Sequence, residues 1–585
     1  MGTIRNAVKW FFKTTITVII VFAVLLFFML AFVAKLSFDN IKPKSVSMDS
    51  YIQLSFPYGL TESPSDLIDM SGFRITDINK KTLTLGDVLQ KLSAASKDLR
   101  IKGILIDIDK WNLTYEHTNE IISSLKQLED KHIIAYGSSL SNVSYLAALS
   151  ADEIIIDPSN SSTIILHGLS ASVPYFKKLG DKLGIDVEVI HIGQFKGAGE
   201  NFTRDNMTDE YRSSIEKVIN SRIDNFSETV SVYRKQDKTG LTERILNGEM
   251  VFITPRQALD MKLIDKLMSY EEIVAENLIG DKQIISISDY EINGVEKDNE
   301  DRIAVIYAEG NIVDSGQGSS FSENTIYPES FGRILKKIRK DDKIKAVVLR
   351  INSPGGSALA SEKILRQIIS LKKDIPVIVS MGSTAASGGY YIACHGTKIF
   401  ADQYTITGSI GVVSMIPNFK NMLDKLGINY QKVSKGKYSD IFDFSKERSS
   451  DDTELMRMSM LRIYDEFKSR VSEGRNISLE DLELIAQGQI WTGEQAKANG
   501  LVDEIGGLED AIEEAARISA LENYGIVSFP ENKTFSEKIF DIDTDDASLY
   551  SMFKNTGLLE KELQILRTAL IFEGKPSLIM PVIME

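Results

Sequence analysis

Cysteine is almost absent from this sequence, with Cys394 alone in 585 residues, and histidine is scarce, with His117, His132, His167, His191 and His395 scattered along the chain. One thiol excludes an intramolecular disulfide framework, and no metal-ligand spacing links these residues, so no metal or other cofactor is expected. Excess positive charge is also missing. The 82 acidic residues outnumber the 67 basic ones and leave a net charge of −15, which argues against nucleic acid as a partner. What remains, 43% hydrophobic and 25% charged, is ordinary globular composition in a chain long enough for two cores.

Long apolar runs are rare as well, and a single one stands out. Thr14 to Ala34 carries no charge and is dense in Val, Ile, Leu and Phe, enough to cross a hydrocarbon core of about 30 Å. Arg5, Lys9 and Lys13 precede it, with Trp10, Phe11 and Phe12 where an interfacial aromatic belt would sit. The run is longer than a secretory h-region, and Phe32 spoils a small-x-small cleavage site before Ala34. The expectation is a cytoplasmic stretch 1–13 and an uncleaved transmembrane anchor 14–34, with the rest of the chain on the outer side.

The remainder contains one unit twice. Ser144-Tyr145-Leu146-Ala147 to Asp157 matches Gly389-Tyr390-Tyr391-Ile392 to Asp402, and Phe176 to Ile185 matches Phe419 to Ile428. Thr254-Pro255-Arg256-Gln257-Ala258 with Leu263-Ile264-Asp265 matches Thr492-Gly493-Glu494-Gln495-Ala496 with Leu501-Val502-Asp503. Three blocks in the same order mean tandem duplication, with an N-terminal repeat over 45–295, a C-terminal repeat over 300–521 and a tail over 522–585. Both copies alternate β-branched runs with helical spacing, the pattern of βαβ units. Strands are expected at Ile104–Ile108, Ile133–Tyr136, Ile303–Tyr307, Ala346–Ile351 and Val377–Ser380. Helices are expected over Phe331–Ile338, Ala358–Leu371 and Gly389–Cys394.

Polar groups survive unequally in the two copies. Ser387, in Ala385-Ala386-Ser387-Gly388-Gly389-Tyr390, follows a strand and opens a helix, where free N–H groups favour negative charge. Asn142 stands at that place in the first copy. Asn352-Ser353-Pro354-Gly355-Gly356-Ser357 also follows a strand, and its glycines can turn amides toward a developing oxyanion. The first copy has Asp109-Lys110-Trp111-Asn112 there. Lys196, in Gly193-Gln194-Phe195-Lys196-Gly197, is matched by Ser439 in the second copy. Lysine is a base only when burial or a neighbouring cation lowers its pKa from about 10.4. A serine–lysine pair would therefore have to be assembled between the halves. Each motif alone also fits an ordinary turn or a solvated lysine. Cys394 reads as a small buried apolar residue rather than a second nucleophile.

Taken in order, these segments, together with Thr407-Gly408-Ser409-Ile410-Gly411, Phe202 to Met207 and Ile490-Trp491-Thr492-Gly493, resemble the signal peptide peptidase A (protease IV) family in its long duplicated form. The resemblance runs from the anchor to about Leu521. It implies an α/β fold of two crotonase- or Clp-protease-like βαβ superhelical domains. It further implies a serine endopeptidase with Ser387 as nucleophile, Lys196 as general base, Ser409 holding the lysine, and Gly355, Gly356 and Gly388 as oxyanion-hole candidates. Hydrophobic peptides, above all remnant signal peptides, would be the substrates. The expected form is a single-pass homotetramer of the inner membrane with its catalytic part on the periplasmic side. Rival readings are a crotonase-class acyl-CoA enzyme, a catalytically idle scaffold, and a general membrane quality-control protease.

Overall fold

The structure, a computed structural model, describes residues 46–63, 83–275, 282–292, 301–314, 325–530 and the strand Ser577–Ile579. The anchor expected over 14–34 lies outside the described residues; among those described, no helix is long and apolar enough to cross a membrane. The described residues form a mixed α/β structure with a large, mainly parallel sheet in each copy.

The first sheet is parallel throughout and orders its strands Ile284–Ser286, Ser50–Phe56, Ile101–Trp111, His132–Gly137, Glu153–Ile156 and Lys266–Leu267. The second runs Ile490–Thr492, Ile406–Gly408, Val377–Ala386, Ile344–Ser353, Arg302–Glu309 and Gly525–Phe529, with Lys398–Ala401 and Glu504–Ile505 branching from Val377–Ala386. The expected strands and helices all form, and most extend beyond the β-branched run that betrayed them. The helix Pro328–Lys340, for example, reaches both ways past Phe331–Ile338 because Pro328 sits in its first turn.

Repeat symmetry shows at the level of caps. Thr254 and Gln257 form a capping box, and so do their counterparts Thr492 and Gln495. Tyr145 and Tyr390 each donate a buried hydroxyl hydrogen to the matching carbonyl, Leu263 and Leu501. The second copy runs further than its sequence match. Gly525–Phe529 lies parallel beside Arg302–Glu309 just as Ile284–Ser286 lies beside Ser50–Phe56, so the repeat continues into what the sequence marked as tail.

One hydrophobic cluster spans the two halves, beside a second built almost wholly from the C-terminal copy. Leu92, Ile106 and Ile121 of the first pack in the same cluster as Val305, Val348, Ile378 and Leu508 of the second. A third sheet joins them covalently distant but side by side: Asp186–Ile192 from the first copy pairs antiparallel along all of Val412–Asn418 from the second. That strand delivers the first copy's lysine into the second copy.

Candidate active site

Ser387 ends the strand Val377–Ala386 and caps the helix Gly388–Ala393 with φ +55° and ψ −115°. This left-handed backbone is strained for a residue with a side chain. It is held because Ser387 N donates to Gly408 O at 2.8 Å while Ser387 O accepts from Tyr391 N at 2.8 Å. The side chain is fully buried.

Lys196 reaches it from the other half of the same chain. Its Nζ lies 2.8 Å from Ser387 Oγ, and donates to Ser409 O at 2.8 Å and Ser409 Oγ at 2.9 Å. Only 2% of Lys196 is exposed, and among the described residues no carboxylate pairs with its Nζ, so burial pushes its ammonium well below the usual lysine range. With two N–H groups directed at Ser409, the lone pair of a neutral amine is left for the Ser387 hydroxyl. That is the geometry a base needs.

The glycine turn lies against this pair. A Cβ on Gly388 would stand 3.1 Å from Gly356 N and 2.8 Å from Ser361 Oγ, so the Gly356 amide sits directly beside the start of the helix. Gly356 has φ +155°, and a Cβ there would meet Ile312 O at 1.9 Å; no other residue fits. The Gly355 amide is engaged differently. It donates to the buried Ser353 Oγ at 3.2 Å, so of the three candidates Gly356 and Gly388 have amides unspent on Ser353.

One part of the site escaped the sequence. The turn Ala486–Gln489 backs both Lys196 and Ser409: Gln487 O accepts from Phe195 N, Gln489 O from Ser409 N, and Gly488 N donates to Ile410 O. Gly488 has φ +81°, and a Cβ on it would lie 2.6 Å from Lys196 N. The signal was present as Gln487-Gly488-Gln489 before the Ile490-Trp491-Thr492-Gly493 block, but a lone glycine among glutamines carries no chemistry of its own. Gly197 is similar, since a Cβ there would strike the Tyr211 ring.

The matching places in the opposite copies hold no such pair. Asn142 turns its side chain onto backbone, with Nδ2 donating to His167 O at 2.7 Å and Oδ1 accepting from His167 N at 3.0 Å. Ser439 lies exposed and bonds Gly436 O. Cys394 is buried, its Sγ donates to Tyr391 O at 3.1 Å, and burial pushes its thiol far up, which suits a small buried core residue better than a nucleophile.

A family model described as peptidase family S49 matches residues 126–282 and 369–522, one match in each copy. The chain is 31% identical over 581 residues to "Protease 4" of Haemophilus influenzae, covering 93% of each. It is 32% identical over 475 residues to "Protease 4" of Salmonella typhi, covering 78% of this chain and 76% of that one. It is also 30% identical over 447 residues to the chloroplastic "Serine protease SPPA" of Arabidopsis thaliana, covering 74% and 65%. With a match in each copy and such likeness along nearly its whole length, the chain belongs to peptidase family S49 and is a serine peptidase.

Proposed function

We propose that this serine peptidase is a membrane-anchored endopeptidase that cleaves remnant signal peptides and other hydrophobic peptides through an acyl-enzyme on Ser387 and Lys196. The observation that carries it is the buried Lys196 Nζ 2.8 Å from Ser387 Oγ. The neutral amine takes the Ser387 proton as Oγ attacks the scissile carbonyl, and the Gly356 and Gly388 amides receive the oxyanion. The lysine ammonium then gives its proton to the leaving amine, and the neutral amine so restored takes a proton from the water that frees the acyl group.

Ser409 holds the lysine. Each half is read as a crotonase- or Clp-protease-like superhelix, in keeping with its parallel crossover sheet. The charge-free run 14–34 supports a single-pass anchor in the inner membrane with the site on the periplasmic side. A homotetramer is supported by apolar side chains that two matching helices, Lys177–Leu183 and Lys420–Lys425, and the loop beyond them leave in solvent, namely Leu179, Leu183, Leu426, Ile428, Tyr430 and Val433.

The test is hydrolysis of a fluorogenic leucine-rich peptide and of a synthetic signal peptide by the full chain in detergent. Wild type, Ser387→Ala and Lys196→Ala are compared side by side. Loss of turnover in both variants, with the signal peptide cut faster than a polar peptide of equal length, supports the reading. Near-normal turnover by either variant would sink it.

A further inference from the structure

The segment Pro576-Ser577-Leu578-Ile579-Met580-Pro581 is apolar and matches nothing in the repeat. Its strand Ser577–Ile579 nevertheless runs through the middle of the joining sheet. On one side it pairs antiparallel with Gly355–Ser357, placing Ile579 opposite Gly355, Leu578 opposite Gly356 and Ser577 opposite Ser357. On the other side it pairs antiparallel with Val412–Asn418, with Ser577 opposite Val413. It also passes beside the helix Gly388–Ala393, which starts immediately after Ser387.

Without this strand, two strand edges would face each other about 10 Å apart, one strand's width on either side. One edge carries Gly356, whose amide lies beside the start of the Ser387-capped helix. The other leads back through Gly411 and Ile410 to Ser409. Two unpaired edges at that spacing bind an extended peptide by backbone pairing on both sides. The strand found there is three residues long and antiparallel to both neighbours, as a peptide laid into a slot would be. It lies over the copy that carries the serine; among the described residues the first copy has no counterpart to it.

We propose that Ser577–Ile579 is a built-in occupant of the substrate slot, a non-covalent strand that a hydrophobic peptide must displace before Ser387 can act. The inference rests on the peptidase reading given above and adds a self-inhibitory contact to it.

A labelled peptide of sequence Lys575 to Pro581 tests it by fluorescence anisotropy in a Ser387→Ala background, which binds without cutting. The full chain in detergent is compared with a chain ending at Phe572 and with full-length Leu578→Pro. Leu578 lies between two strands, so its N–H faces one of them, and proline removes that donor. The expected result is binding to both altered chains and at least about tenfold weaker binding to the unaltered one, since a tethered competitor acts at high effective concentration. With Ser387 intact, both alterations should lower KM for a leucine-rich peptide and leave kcat near its original value. Equal binding by all three chains would overturn the proposal. So would absence of binding to altered chains that keep their melting transition, or loss of that transition in both, since a displaceable occupant is not needed for folding. Tight binding by the altered chains without any hydrolysis when Ser387 is present would leave the slot occupant standing and sink the peptidase reading instead.

Discussion

Lys196 meets Ser409 twice, its Nζ donating to both the carbonyl and the hydroxyl oxygen of that one residue at 2.8 and 2.9 Å. The double contact depends on Ser409 adopting φ +53°, a left-handed turn that brings its side chain and its carbonyl to the same side. Removing the hydroxyl leaves the carbonyl in place and frees the amine to swing. Ser409→Ala should therefore lower kcat about tenfold, the worth of one hydrogen bond, with KM little changed. Steady-state kinetics on a leucine-rich peptide decide it; a change confined to KM would assign Ser409 to substrate binding.

On the proposed mechanism Ser387 and Lys196 share one proton, so their losses should not add. Ser387→Ala, Lys196→Ala and the double variant are each expected to fall by about 10³-fold or more in kcat, to a common residual rate. Lys196→Arg should be as inactive as Lys196→Ala, because a guanidinium stays charged and cannot take the serine proton. Additive losses in the double variant would show that the two residues serve separate steps.

Burial holds Lys196 well below the usual lysine range, and this fixes the direction of two pH effects. Activity should climb as the amine loses its proton and reach a plateau below about pH 10, where an ordinary lysine would still be charged. Stability follows the same group. The unfolded chain keeps the proton up to about pH 10.4 while the folded one releases it earlier, so between those values the unfolded state binds more protons. Stability should thus rise with pH through that window and be lost as pH falls through the folded value. Lys196→Met should flatten the slope, as read from melting temperatures in a pH series; an unchanged slope would mean that Lys196 stays charged in the fold.

The pieces of the site were legible in the sequence because each is a local pattern. Ser387 at a strand–helix junction, the glycines at 355 and 356, and a lysine in one copy where the other has serine all show by alignment of the chain with itself. Their approach was legible only as a requirement. It is achieved by the strand Asp186–Ile192 pairing outside its own copy, and a register between distant strands leaves no periodic trace. The Gly488 turn was hidden for a related reason, since its role is to leave room for the Lys196 backbone. The Gly355 amide shows the limit of motif reading: sequence ranks it with Gly356, but the hydroxyl of Ser353 takes it.

Gly388 gives a test of the oxyanion turn that spares the core. It is the first residue of a helix and has no need of a positive φ, so alanine suits its backbone. The new methyl would stand 3.1 Å from Gly356 N and 2.8 Å from Ser361 Oγ, crowding the amide proposed to receive the oxyanion. Gly388→Ala should lower kcat by about 10²-fold, the cost of one oxyanion donor, at a melting temperature near that of wild type. Full activity in a well-folded variant would move the oxyanion hole elsewhere.

A buried charge network ties the two copies together at their seam. Arg350 of the second copy is completely buried, and its guanidinium contacts Glu62 through Nε and Nη2 at 2.9 Å each, and Glu120 through Nη2 at 2.7 Å. His117 Nε2 lies 3.0 Å from the same Glu62 carboxylate. Burial pushes both carboxyls up; at Glu62 the Arg350 and His117 contacts outweigh it and hold the group well below the carboxylate range, while at Glu120 burial prevails. Arg350 leaves the strand that leads into the Ser353–Gly356 turn, and its Nη1 also donates to Ser380 Oγ on the strand that ends at Ser387. Losing the cation would strand two acidic groups in the interior between the halves. Arg350→Met should cost about 3–5 kcal/mol in a denaturant titration, whereas replacing Arg350, Glu62 and Glu120 together by apolar groups of similar volume should recover most of it. If the triple variant is stable yet turns over slowly, the network orients Ser387 and the glycine turn; if it is stable and fully active, the network serves only to join the two copies.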